Sequence, residues 1–112
     1  MVRRKVARMT ITAFRILANS GRLKDIRFVD ITGRLALLGE SATLGGLCAV
    51  LRDELGNELL VVMPDRAALS SDTPPRVGYW ARVVGSPSYG QLMDGSDGWR
   101  VIAERLEAYV GE

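Results

Sequence analysis

The chain has 112 residues, 47% of them apolar and 25% charged, which is the size and balance of one globular domain. No apolar run approaches the roughly 18 residues of a membrane span, MVRRKVARMT lacks the apolar stretch of a signal peptide, and a single cysteine excludes a disulfide framework. The expectation is a soluble cytoplasmic protein without membrane contact, nucleoid-associated if its partner is DNA.

Histidine is absent, which removes the commonest general base and the commonest zinc ligand together. The chain also lacks a G-x-x-x-x-G-K-[ST] phosphate loop, a G-x-G-x-x-G after a strand and any Cys/His metal spacing. It therefore reads as a non-enzyme without cofactor or metal. Cys48, inside GLCAVL, reads as a small core residue. Asp53-Glu54 and Asp94 with Asp97 are carboxylate pairs that fall in turns, where aspartate prefers local backbone hydrogen bonds to a cation.

Lys5 and Lys24 are the only lysines, so arginine supplies the rest of the 15 basic residues, and there are few Asn, Gln or Cys. That balance fits a thermophilic source, although a GC-rich genome also favours arginine. The net charge of +2 hides an asymmetry. Residues 1–27 carry Arg3, Arg4, Lys5, Arg8, Arg15, Arg22, Lys24 and Arg27 against Asp25 alone, while acids outnumber arginines in the remainder. A basic arm on an acidic body points to a polyanion met by the N-terminus, through Arg3, Arg4 and Lys5 among others.

In chain order, residues 1–25 form the arm and a short helix, and 26–112 form the body. In TITAFRILANSG, Phe14, Leu17 and Ala18 give a helical stripe, Thr12 is the candidate N-cap, and Gly21 suits the left-handed position after the end. In IRFVDITGRLALL the period changes to two: Val29, Ile31, Gly33, Leu35 and Leu37 fall on the core side, and Phe28, Asp30, Thr32 and Arg34 on the other. Gly33 is placed to let one strand bend and serve two edges of a closed barrel. LCAVLRDELGNELLVVMPD reads as two strands and a hairpin around Gly56-Asn57. PDRAALSSDTPPR is a connector with one helical turn begun by Asp65.

VGYWARVVG reads as a fourth strand and SPSYGQLMDGSDG as a long loop. Alternation places Val77, Tyr79, Ala81 and Val83 inward and Trp80 and Arg82 outward; the reversed phase buries Trp80 and exposes Tyr79. WRVIAERLEAYV matches a helical stripe through Trp99, Ile102, Ala103, Leu106, Tyr109 and Val110, and equally a strand with Trp99, Val101 and Ala103 on one face. Barrel closure favours the strand, with a C-terminal helical end left open.

Five strands, a connector after the third and a loop after the fourth make the plan of a five-stranded OB-fold Greek-key barrel, a mainly β class. Gly33-Arg34, Asp53 with Gly56, Gly78 with Arg82, Val83 and Gly85, and Ala103-Glu104 occur in an order that resembles single-stranded DNA-binding OB domains of the replication protein A type. TITAFRILA looks like the segment preceding the OB domain in the middle subunit of that complex. The resemblance implies a module binding single-stranded DNA or RNA in replication, repair or recombination, with a ligand face on its second and third barrel strands and flanking loops.

Trp80 is then a stacking platform with Arg82 one step along the same face, and Arg34, Arg52 and Phe28 accompany it on neighbouring strands. Tyr89, in the long loop, is a second ring able to fold onto a base. The acidic body and the 6% of aromatic residues are also similar to the small structural subunits of such complexes. The alternative is therefore an interaction subunit that joins other OB-fold subunits and contacts little DNA itself.

Overall fold

The computed structural model describes residues 5–110. Six strands and one α-helix follow in the order β1 (Val6–Met9), α1 (Ile11–Asn19), β2 (Phe28–Ser41), β3 (Gly46–Arg52), β4 (Glu58–Met63), β5 (Trp80–Gln91) and β6 (Asp97–Ala108). Strands β2, β3, β4, β6 and β5 are neighbours in that order, and β5 returns to β2, so the sheet closes into a five-stranded barrel of OB-like architecture. The β4–β6 contact is parallel and the other barrel pairings are antiparallel. No helix among the described residues is long and apolar enough to cross a membrane.

Closure depends on the 14-residue strand β2. Its first half pairs with β5 and its second half with β3, and Arg34 belongs to both ladders, opposite Trp80 on one side and Arg52 on the other. Gly33, just before this exchange, is buried. A Cβ there would lie 2.8 Å from Ile11 Cδ1 and 3.1 Å from Leu51 Cβ, so the missing side chain makes room for α1 and the facing strand. The expected bend at Gly33 is thus also the seat of the helix.

Val29, Ile31, Leu35, Leu51, Val61, Val83, Val101 and Leu106 fill the barrel, and Ile11 and Phe14 of α1 plug it. Leu17 and Ala18 pack against the same core, as the stripe predicts. The N-cap is Thr10 and not Thr12: its hydroxyl accepts from Ala13 N at 3.0 Å. Thr12 is occupied elsewhere, donating to Asp53 Oδ2 at 2.9 Å and accepting from Asn57 Nδ2 at 3.2 Å. Gly21 takes φ +73° after the helix, as expected.

Several sequence expectations are corrected. β1 is an unpredicted strand, lying parallel beside the first residues of β2. Leu37 is exposed because a bulge between Leu35 and Leu37 shifts the strand's phase, and Leu38 packs on the core in its place. The fourth barrel strand begins at Trp80, so Val77 and Tyr79 belong to the turn before it and both are exposed. The long loop is a hairpin: β5 runs to Gln91, β6 starts at Asp97, and only Leu92–Ser96 turn, closed by Leu92 N donating to Ser96 O at 2.7 Å. Residues 97–108 are strand, without a helical end among the described residues. The connector does contain its helical turn, Arg66–Ala68, with the Asp65 side chain accepting from Ala67 N.

Candidate functional site

The closed barrel brings three of the sequence-predicted residues into one row. Trp80 on β5 stands opposite Arg34 on β2, and Arg34 stands opposite Arg52 on β3. All three point outward, because Ala81, Leu35 and Leu51, their neighbours in sequence, point into the core. Trp80 is 38% exposed, so its indole faces solvent as the inward phase of Ala81 and Val83 requires. The Arg34 guanidinium carbon lies 5.6 Å from the centre of the Trp80 ring, within cation–π range. Trp80, Arg34, Arg52, Asp53 and Glu54 line an open depression of about 310 Å³, at the lower end of the roughly 300–1,000 Å³ typical of small-ligand sites.

The charges around this depression are not equivalent. Arg52 donates through Nε to Glu58 Oε2 at 3.0 Å, and its Nη2 reaches the same oxygen, so it is an ion-paired cross-strand neighbour of Glu58. Asp53 is committed to the β3–β4 hairpin: it accepts from Leu55 N, Asn57 N, Asn57 Nδ2 and the Thr12 hydroxyl. Burial acts to raise its carboxyl, and these hydrogen bonds outweigh that effect and hold it below the usual aspartate range. Arg34 forms no ion pair with any described residue and directly faces the like charge of Arg52.

Arg82 is placed differently from its sequence role. It shares the outward face of β5, yet its Nε and Nη2 grip both oxygens of Asp30 at 2.8 and 2.6 Å, and Nη1 lies 3.5 Å from Glu107. Asp30 is 5% exposed. The hydrogen bond to it is the main cause that raises the Arg82 guanidinium above its ordinary value, so this charge is fixed and internally matched. Arg82 ties β5 to β2 instead of presenting a free phosphate contact.

Phe28 lies on the same side of β2 as Arg34 but about 20 Å along the strand, partly buried beside β1, and does not line the depression. Tyr89 sits in β5, opposite Trp99 of β6, with the ring centres 5.7 Å apart in an edge-to-face contact. Lys5 is exposed before β1, whereas Arg3 and Arg4 lie outside the described residues.

No known family model matches this chain, and no curated protein matches it. The site therefore rests on its own geometry. In that geometry the outward side of β3 and β4 is apolar over most of its length: Cys48, Leu60 and Val62 are buried under Leu44 and Leu92, which fold over from the two turns flanking it. This is the face on which the sequence resemblance places a ligand, and burial raises the Cys48 thiol there.

Sequence reasoning missed two rings near Trp80. Tyr79 projects into solvent with the Arg76 guanidinium 5.4 Å from its centre. Tyr109 extends the β5–β6 ladder, its N donating to Trp80 O at 3.0 Å, and the residue is 44% exposed. Alternation carried one residue before the strand turned Tyr79 inward, and Tyr109, past the end of β6, was read only as part of a helical stripe.

Among the described residues no three carboxylate, thiol or imidazole groups gather as a metal site. Asp94, like Asp53, serves its own turn, accepting from Ser96 N and Oγ. These bonds lower the Asp94 carboxyl.

Proposed function

We propose that this protein is a single-stranded nucleic-acid-binding module of the OB type, acting in DNA replication, repair or recombination, and that the strand lies against the Trp80–Arg34–Arg52 row. The observation that carries this reading is the exposed Trp80–Arg34 stack beside a second guanidinium, in one open depression. A planar base extends such a stack without regard to its identity, and its phosphate meets Arg34, whose guanidinium pairs with no described carboxylate. Arg82 supports the row by holding β5 against β2, and Lys5, exposed before β1, is a further cation for phosphates beyond the row.

Fluorescence anisotropy of a labelled oligo-dT against the full chain tests it. Salt-sensitive binding is expected, and Trp80→Ala is expected to weaken it about fivefold or more, the counterpart of the roughly 1–3 kcal/mol a stacked base contributes. Arg34→Ala weakens it as well. Absence of binding to any oligonucleotide by the folded protein refutes the reading.

A second reading is favoured by a separate observation. Val77, Tyr79, Tyr109 and Val110 are exposed near the start of β5 and the end of β6, an apolar and aromatic group typical of protein contacts. In that account the barrel is an interaction subunit that joins other OB-fold subunits. Elution as an oligomer, lost in Tyr79→Ser, together with no oligonucleotide binding, supports it over the first.

A further inference from the structure

A second depression, of about 450 Å³, opens between α1 and the β5–β6 hairpin. Its floor is Phe14 and Leu59, both buried, its wall is the Trp99–Tyr89 pair, and its rim carries Arg15 and Asn19 from the solvent side of α1. Tyr89 is 62% exposed. An apolar floor, an aromatic wall with Tyr89 largely exposed, and a rim of one guanidinium, one amide and the Glu58 carboxylate already paired with Arg52 suit a nucleobase with its phosphate at Arg15 better than an aliphatic ligand, which has no use for the polar rim.

The two depressions adjoin. Arg52 lines the first, Glu58 lines the second, and these residues are cross-strand partners joined by an ion pair. From Trp80 to Glu58 the row crosses three strand junctions, about 14 Å at the usual spacing. The pairing with Arg52 neutralises the Glu58 carboxylate, so the barrier between the depressions is polar without being repulsive to a phosphate. Thr12, bonded to Asp53, fixes α1 beside the hairpin and so sets Arg15 over the second depression.

Resting on the reading proposed above, we infer that one single strand occupies both depressions. One base extends the Trp80–Arg34 stack, the chain crosses the Arg52–Glu58 pair, and a later base packs on Tyr89 and Trp99 with its phosphate at Arg15. The module is therefore length-selective, and Trp99 reports only on strands long enough to reach it.

The chain's two tryptophans allow a direct test. In Trp80→Phe, which keeps a stacking ring in the first depression, Trp99 is the sole indole. Oligo-dT from about 3 to about 15 nucleotides, a span matched to known OB site sizes, is titrated while anisotropy and Trp99 emission are read together. Short strands are expected to bind without changing Trp99 emission. Longer ones should bind about tenfold more tightly and quench it, and Tyr89→Ala with Arg15→Ala should remove that gain while leaving the short-strand affinity unchanged. Binding at every length with unaltered Trp99 emission, or a length gain intact in the double variant, overturns the inference and leaves the first depression standing. No binding at any length overturns the underlying reading itself.

Discussion

Asp53 sits at the junction of three things: the β3–β4 turn, α1 and the rim of the depression beside Trp80. As its folded carboxyl is held below the ordinary value near 3.8, the ionised form stabilises the fold above that value, and the stabilisation disappears as pH falls through the lowered one. Asp53→Asn is expected to lower the melting temperature at neutral pH, and the gap from the natural protein should close on acidification below about pH 4. Thermal unfolding across pH reads this directly. Asp53 was legible in the sequence as a turn aspartate, since Gly56 and Asn57 follow it at hairpin spacing. Its bond to Thr12, 41 residues away, was not, because the helical stripe fixes which side of α1 is buried and says nothing about which loop meets the other side. Trp80 was legible in part: alternation from Ala81 and Val83 turned it outward, the reversed phase stayed open, and the structure takes the outward one for Trp80. Tyr79 was misplaced by the same rule, applied one residue before the strand begins.

At the scale of elements, bulges decided what could be read. Between β5 and β6 the register shifts after Val84, so that Gly85 faces Ala103 while Val84 faces Arg105, and Glu104 is the extra residue. The shift puts Ala103 and Leu106 on one side at a spacing of three, which is the spacing a helix would show; hence the double identity of WRVIAERLEAYV. The same mechanism at Ala36 moved Leu37 out of the core. The glycines of SPSYGQLMDGSDG misled in another way. Gly90 lies under the Arg100 guanidinium and Gly98 under Leu92, so these residues make room across a hairpin where composition alone suggested a loop. Gly85 is the most constrained of all. A Cβ there would lie 2.2 Å from Ile102 O and 2.9 Å from Ala103 Cα, both backbone atoms of the partner strand. Gly85→Ala is expected to cost more than about 3 kcal/mol, read by chemical denaturation, because neither strand can yield without breaking the ladder.

For the molecule as a whole, five closing strands and a plugging helix followed from strand count, turn spacing and the requirement that no edge be left open. The added strand β1 did not, since four residues of parallel pairing leave little trace in a basic segment. Charge is distributed so that the depression contributes little net attraction: Arg52 is paired with Glu58, and two carboxylates share the rim with Arg34. The steep part of any salt dependence should therefore come from the arm. Replacing Arg3, Arg4 and Lys5 by alanine is expected to flatten the slope of log affinity against log salt by about 2, at roughly 0.7 per lost phosphate contact on a single strand. Titration of oligo-dT at several salt concentrations measures it.

Arg34 occupies the seam at which β2 exchanges one neighbour for another. In the function proposed here, the molecule's cohesion and its grip on a guest meet at that one position. Mutational drift there cannot adjust one property in isolation: a substitution that tightens the union of the two ladders alters the contact offered outward, and one that sharpens the contact disturbs the union.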